Sequence, residues 1–271
     1  MDVADDLAIR LSQASLAYGP RVLWQGLDLD VRPGEFLAVL GPNGSGKTSL
    51  LRVLLGLSEL TSGTAEVAGQ RPHKGSSAVG YIPQQKGFDA DLGVRGRDLV
   101  ELGLLGHRFG LPFSSGEVRA RVDAAIQSVG ATEYAARPIG RLSGGEQQRL
   151  RIAQALLGDP SVVLCDEPLL SLDLAHQRAV VELIDRRRRD SRSAIVFVTH
   201  EINPILPVVD RVLYLVNGRW TTGAPEEVMT SERLSELYGT DIDVLRVRDR
   251  IVVVGASEEE HHHHDDGGER S

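Results

Sequence analysis

Four short apolar runs without alternation, at residues 36–40, 162–165, 194–199 and 212–216, stand between stretches of helical period. Unbroken runs of that length are typical of strands covered on both faces, so they predict a mostly parallel sheet flanked by helices. Ahead of them, residues 8–17 and 22–31 alternate apolar and polar positions around Tyr18-Gly19-Pro20-Arg21. A period of two on either side of a turn predicts an antiparallel hairpin with one wet face. Between about residues 92 and 158 the period becomes helical, carried by Leu99, Leu102 and Leu105 and then by Val118, Val122, Ala125, Ile126 and Val129. This block, roughly 90–158, predicts a helical subdomain inserted into an α/β core that occupies residues 1–240. Asn217-Gly218 between apolar runs signals a tight hairpin, and short helices are predicted over 225–229 and 232–238. A last small hairpin pairs 244–247 with 250–254 inside the region 241–256, and the charged, His-rich stretch 257–271 predicts disorder.

With 271 residues and 41% apolar content, the chain is long enough for one large domain with an insertion. No apolar stretch approaches the roughly 20 residues that cross a bilayer, and Met1-Asp2-Val3-Ala4-Asp5-Asp6 is acidic where a secretory signal is basic, so a cytosolic protein is expected. Cys165, the only cysteine, lies in an apolar run; this excludes a disulfide framework and predicts a small buried hydrophobe. A net charge of −8 argues against nucleic acid as a partner. Arg186-Arg187-Arg188-Arg189 closes a helix begun near Leu174, where cations suit the helix dipole and solvent, so it is read as an exposed helix end.

Gly41-Pro42-Asn43-Gly44-Ser45-Gly46-Lys47-Thr48 fits the phosphate-binding template G-x-x-x-x-G-K-[ST], between the run 36–40 and a helical pattern that begins with Ser49. Glycines let the backbone wrap phosphates with converging N–H groups, and the helix N-terminus near Gly46 adds partial positive charge. Lys47 supplies a cation for β- and γ-phosphate oxygens, and the Thr48 hydroxyl can ligate Mg²⁺. A plain glycine turn accounts for neither the Lys-Thr pair nor its position.

Leu142-Ser143-Gly144-Gly145-Glu146-Gln147 opens a helix expected to run to Gly158, with Ser143 and Glu146 spaced as a capping box. Capping does not require two adjacent glycines in a first turn, where each costs about 1 kcal/mol relative to Ala. They expose N–H groups to an anion, so a second phosphate-contacting helix end is predicted. The run 162–165 ends in Asp166 and Glu167, which the rule for open α/β sheets brings to the ligand crevice. Asp166 can hold Mg²⁺, and Glu167 can polarise a water for in-line attack on a γ-phosphate. The strand 194–199 is followed by His200, placed to contact that phosphate or to steady Glu167.

In this order the motifs resemble the ATP-binding subunit of ABC transporters, from Leu7 to about Tyr238. The resemblance implies a P-loop NTPase core, ATP and Mg²⁺ as cofactors, and ATP hydrolysis. Tyr18 matches the aromatic that stacks on adenine. Gln84, in Tyr81-Ile82-Pro83-Gln84, matches the glutamine that reaches Mg²⁺ and the attacking water and hinges the helical subdomain. The segment 142–147 matches the signature that binds the γ-phosphate held by the other subunit. Asp173 matches the aspartate that connects the two sites, and His200 the switch histidine. One departure is Leu170-Ser171 ahead of Leu172-Asp173, where the family commonly carries Ser-Ala.

The resemblance further implies a head-to-tail homodimer closed over two ATP molecules, on the cytoplasmic face of a membrane. There it is expected to serve a separate integral permease and, indirectly, a substrate-binding protein. Residues 92–100 and the loop after Gln84 are the expected docking groove. The stretches 79–84, 199–206 and 210–215 look most like members that take up manganese, zinc or iron. The segment Glu258-Glu259-Glu260-His261-His262-His263-His264-Asp265-Asp266 offers imidazoles and carboxylates suited to a divalent transition metal, or else is an incidental solubilising tail. A soluble ABC ATPase acting as an assembly factor is the alternative class.

Overall fold

The computed structural model describes residues 7–84, 87–89, 92–105, 115–170 and 172–255. Its centre is a six-stranded sheet in the order β5-β6-β7-β3-β8-β9. These strands are β3 (Phe36–Leu40), β5 (Val79–Ile82), β6 (Val162–Asp166), β7 (Ala194–Val198), β8 (Arg211–Val216) and β9 (Arg219–Gly223). All neighbours run parallel except β9, which returns antiparallel along β8 through Asn217-Gly218. The fold class is therefore the expected α/β one.

The unbroken apolar runs have the predicted cause. Phe36, Ala38 and Leu40 of β3 enter one hydrophobic core, and Leu37 and Val39 enter another on the opposite face. β7 divides in the same way, with Ile195 and Phe197 against Ala194, Val196 and Val198. With both faces covered there is no wet side on which polar residues are favoured.

The second face is covered by α1 (Lys47–Leu54) and by an antiparallel sheet of β1 (Ile9–Tyr18), β2 (Arg21–Val31) and β4 (Ser62–Val67) in the order β2-β1-β4. The predicted hairpin is present but carries β4 on its free edge. That third strand, Ser-Gly-Thr-Ala-Glu-Val, buries only Val67, so it has no apolar alternation to reveal it. Gln13 bulges from β1 at φ 46° and holds Asp28 of β2 through its own N–H at 2.7 Å and through its side chain.

The first face is covered by α2 (Gly96–Leu105), α3 (Gly116–Ser128), α4 (Gly144–Leu156) and α5 (Leu174–Ser191), with α6 (Pro225–Val228), α7 (Ser231–Tyr238) and the hairpin β10 (Ile242–Val247)–β11 (Arg250–Gly255) beyond. α4 stops two residues short of the expected Gly158. The arginine run at the end of α5 is exposed as expected at Arg186 and Arg189 and differs from its expectation at the middle pair. Arg187 and Arg188 are only 17% and 16% exposed, because Arg187 reaches Asp159 at 3.0 Å and Arg188 bridges Asp185 and Asp210. Asp210 also accepts the N–H of Phe36 at 2.8 Å, so this network ties α5 to the start of the phosphate-loop strand. Cys165 is fully buried, and burial pushes its thiol pKa well up, as for an inert packing residue. Residue 171, part of the loop after Gln84, and the tail 257–271 lie outside the described residues.

Two glycines bring α4 close to its neighbours. A Cβ on Gly80 of β5 would lie 2.5 Å from Ala155 O, and one on Gly103 of α2 would lie 2.3 Å from Gln154 O. Both neighbours are backbone, which cannot swing aside. Gly80→Ala is therefore expected to cost about 1–3 kcal/mol in urea denaturation through overpacking. Gly158→Ala, where nothing lies within 4 Å of the added carbon, is expected to stay within about 0.5 kcal/mol.

Candidate functional site

Parallel strands deliver their carboxyl ends to one edge, and four of these ends carry the predicted motifs. β5 leads to Gln84, β6 to Asp166 and Glu167, β7 to Thr199-His200, and β3 to the phosphate loop, in that lateral order. β7 lies between the loop strand and the carboxylate strand. Sequence-distant residues therefore meet in space through sheet order alone.

The loop is shaped by glycines in backbone regions closed to other residues. Gly41, at φ 139°, lies so close to β8 that a Cβ would sit 2.1 Å from Leu215 O. Gly46 takes the N-cap of α1 at φ 101° and rests on Trp24, whose ring atoms would lie 3.0 Å from a Cβ. α1 starts with no side-chain cap and no acid in its first turn. In contrast α3, α4, α5 and α7 are capped by Ser115, Ser143, Asp173 and Thr230. The first N–H groups of α1 therefore lack both intrahelical and capping partners, which suits them to an anion.

Lys47 follows directly and is almost fully buried. Its ammonium donates to Gly41 O at 2.8 Å and Pro42 O at 3.0 Å, folding back over its own loop. Burial lowers its pKa, opposed by the charges of Glu167 and Asp166. Thr48 Oγ1 donates to Asp166 Oδ1 at 3.1 Å, and Tyr81 OH donates to Asp166 Oδ2 at 3.3 Å. Burial is the main cause that raises the Asp166 pKa, while these two hydrogen bonds and Lys47 counter it. The same environment pushes Tyr81 up to about 12 and keeps its phenol protonated.

Glu167 is held at φ 46°, a strained conformation for a glutamate, with its N–H donated to Val198 O at 3.0 Å. Gln84 Nε2 lies 3.4 Å from Glu167 Oε2, and His200 Nδ1 lies 3.8 Å from the same oxygen. The three predicted catalytic side chains thus converge on one carboxylate. An open cavity of about 350 Å³ beside it is lined by Tyr18, Arg21, Asn43, Gly44, Lys47 and Thr48, among others, with Ser49 and Glu167. Tyr18 stands half exposed at its rim.

The signature segment is elsewhere on the same chain. Ser143 caps α4 in a full capping box: its Oγ accepts from Glu146 N–H at 3.3 Å and donates to Glu146 Oε2 at 2.9 Å. Gln147 is buried, donating to Ile139 O and Leu142 O, so it holds the turn before the helix instead of facing a ligand. Asp173 caps α5 through His176 N–H at 2.9 Å and meets His176 Nδ1 at 2.8 Å. These two hydrogen bonds hold the Asp173 pKa low. Neither Ser143 nor Asp173 lines the cavity beside Lys47.

Three contributors were not identified from the motifs. Arg21 lines the cavity and donates to Gly44 O at 2.8 Å; its place three residues after Tyr18, across a turn, was the available signal. Tyr81 was read only as a flank of Gln84. His176 packs on Gly145, where a Cβ would lie 3.0 Å from its ring, and no local pattern marks it.

A carboxylate whose folded pKa is raised destabilises the native state as pH climbs. Between the ordinary aspartate value and the raised one, the folded chain binds more protons than the unfolded chain, so stability falls across that window and stays lower above it. Asp166→Asn is therefore expected to raise the melting temperature of the nucleotide-free protein at neutral pH. It should also flatten the decline of the melting temperature as pH rises from about 4, the ordinary aspartate value.

Comparison with known proteins agrees with this geometry. The ABC transporter family model matches residues 24–170. The zinc import ATP-binding protein ZnuC of Halorhodospira halophila is 34% identical over 241 residues, covering 88% of this chain and 86% of that protein. The manganese transport system ATP-binding protein MntB of Bacillus subtilis is 31% identical over 250 residues, covering 91% and 98%. Among solved structures, an inward-facing transporter described as metal-chelate type superposes with a TM-score of 0.78 at 26% identity, over 93% of this chain and 98% of that one. A dimeric ATP-binding cassette in a post-hydrolysis state with ADP and Pi gives a TM-score of 0.66 at 26% identity, covering 79% and 97%. The chain belongs to the ABC transporter family, as an ATP-binding and ATP-hydrolysing subunit.

Proposed function

We propose that two copies of this chain hydrolyse ATP to power uptake of a divalent transition metal, zinc or manganese, through a separate membrane permease. The observation that carries the reading is the convergence of Gln84 and His200 on Glu167, beside a cavity floored by Lys47 and Thr48. The cargo is taken from the relatives' names, and the resemblance of the metal-uptake branch agrees with it.

In this reading adenine stacks on the exposed face of Tyr18, a contact of about 1–3 kcal/mol. The polyphosphate lies on the N–H groups of residues 43–48, with Gly41, Pro42, Asn43, Gly44, Ser45 and Gly46 shaping the bend. Lys47 exchanges its two loop carbonyls for phosphate oxygens. The hard oxygens of Thr48 and Asp166, already 3.1 Å apart, fit Mg²⁺, with Gln84 as a further ligand. That ion would neutralise charge on the phosphates. Among the described residues no group of three or more His, Cys, Asp or Glu could hold a metal. Glu167 polarises a water; as its oxygen bonds to the γ-phosphorus, the bond to ADP breaks and the proton passes to the carboxylate. His200 orients Glu167 and the water.

The signature residues act on the twin's nucleotide. Ser143 rotates its hydroxyl from Glu146 to the γ-phosphate, and the N–H groups of Gly144 and Gly145 add to it, with Leu142, Glu146 and Gln147 shaping the turn. Asp173 lies between the two sites. The dimeric post-hydrolysis relative supports the two-copy arrangement. No helix among the described residues is long and apolar enough to cross a membrane, so the permease and a substrate-binding protein are separate chains in this reading. The subunit then sits at the cytoplasmic face, docked through residues 92–100.

Glu167→Gln keeps the shape and removes the base. It is expected to retain ATP binding while turnover falls by at least about 100-fold, with specific activity of the parent rising with protein concentration. Unchanged turnover in the variant, or full activity in a dilute monomer, overturns the catalytic reading. Affinity recovery from solubilised membranes is expected to bring down a multi-spanning protein; recovery of soluble partners alone overturns the transport reading.

A further inference from the structure

The hairpin β10–β11 leaves one face uncovered. Register places Leu245 opposite Val252, Val247 opposite Arg250 and Asp243 opposite Val254, so these six side chains share a face. Leu245, Val247, Val252 and Val254 are 52%, 57%, 43% and 46% exposed, a contiguous apolar patch. The opposite face is anchored: Ile242 and Ile251 enter the core, and Ser231 and Ser235 accept the N–H groups of Val244 and Ile242 at 2.8 and 2.9 Å. Asn203 completes the anchor by using its amide as a strand neighbour would, donating to Ile251 O at 2.9 Å and accepting from Ile251 N–H at 2.8 Å. The patch is therefore held from behind, in part by Asn203, which is three residues from His200 in the chain.

We infer that this face is a contact surface for a second copy of the chain, an inference that rests on the two-copy reading above. Two observations select that occupant. Asp243 marks one end of the face and Arg250 the other, so a two-fold axis across the strands sets each Asp243 beside the twin's Arg250 while the apolar residues meet in the middle. Six side chains also fall short of the roughly 800 Å² per partner of a stable interface, so the contact by itself gives a weak dimer. Such a patch works as a second contact between copies already joined elsewhere, where effective concentration multiplies a weak interaction. It keeps the copies paired when the nucleotide sites open.

Charge exchange tests this. Asp243→Arg gives a chain with two cations at the corners of the face, and Arg250→Asp gives one with two anions. In sedimentation equilibrium without nucleotide, each variant alone is expected to dimerise roughly tenfold more weakly than the parent. An equimolar mixture is expected to recover parental affinity, because every corner then meets its opposite. Failure of the mixture to recover, equal dimerisation of the single variants and the parent, or a parent that stays monomeric without nucleotide would each overturn the inference. The same series in a Glu167→Gln background with ATP separates the readings. Absence of ATP-driven dimers in every chain refutes the nucleotide sandwich, whereas their presence with loss only in the nucleotide-free state supports the hairpin contact.

Discussion

An ammonium and a carboxylate, both withdrawn from water at the open ends of strands, are satisfied separately instead of by each other. Lys47 gives its hydrogen bonds to Gly41 O and Pro42 O, and Asp166 accepts from Thr48 and Tyr81. Unpartnered buried charges cost several kcal/mol each, and these four hydrogen bonds supply the partners. Gly41 against Leu215 O and Gly46 against Trp24 set the position of the loop that carries the two carbonyls. In the proposed function a polyanion with a divalent cation would relieve both charges at once.

Much of this arrangement was legible in the sequence because each motif follows an apolar strand, and parallel strands deliver their ends to one edge. The order of strands was not legible. That β7 separates β3 from β6, and so puts His200 within 3.8 Å of Glu167, follows from packing across the whole sheet. β4 was missed because it is polar and pairs only with the edge of β1. Arg187 and Arg188 were misplaced in solvent because their acids, Asp159 and Asp210, are distant in sequence. Arg21, Tyr81 and His176 carry no pattern of their own, and each acts by touching a residue that does.

The helix ends divide by chemistry. Four helices satisfy their first N–H groups with their own side chains, and α1 keeps its own open beside a lysine that its dipole disfavours. Local stability is sacrificed at α1 for ligand binding, as functional sites generally require.

His176 joins two of the capped ends. Its ring holds Asp173 through Nδ1 and rests its far edge on Gly145. The imidazole thereby touches the starts of both α4 and α5, away from the phosphate cavity. In the proposed two-copy arrangement, this imidazole is what ties the turn facing the twin's nucleotide to the start of α5.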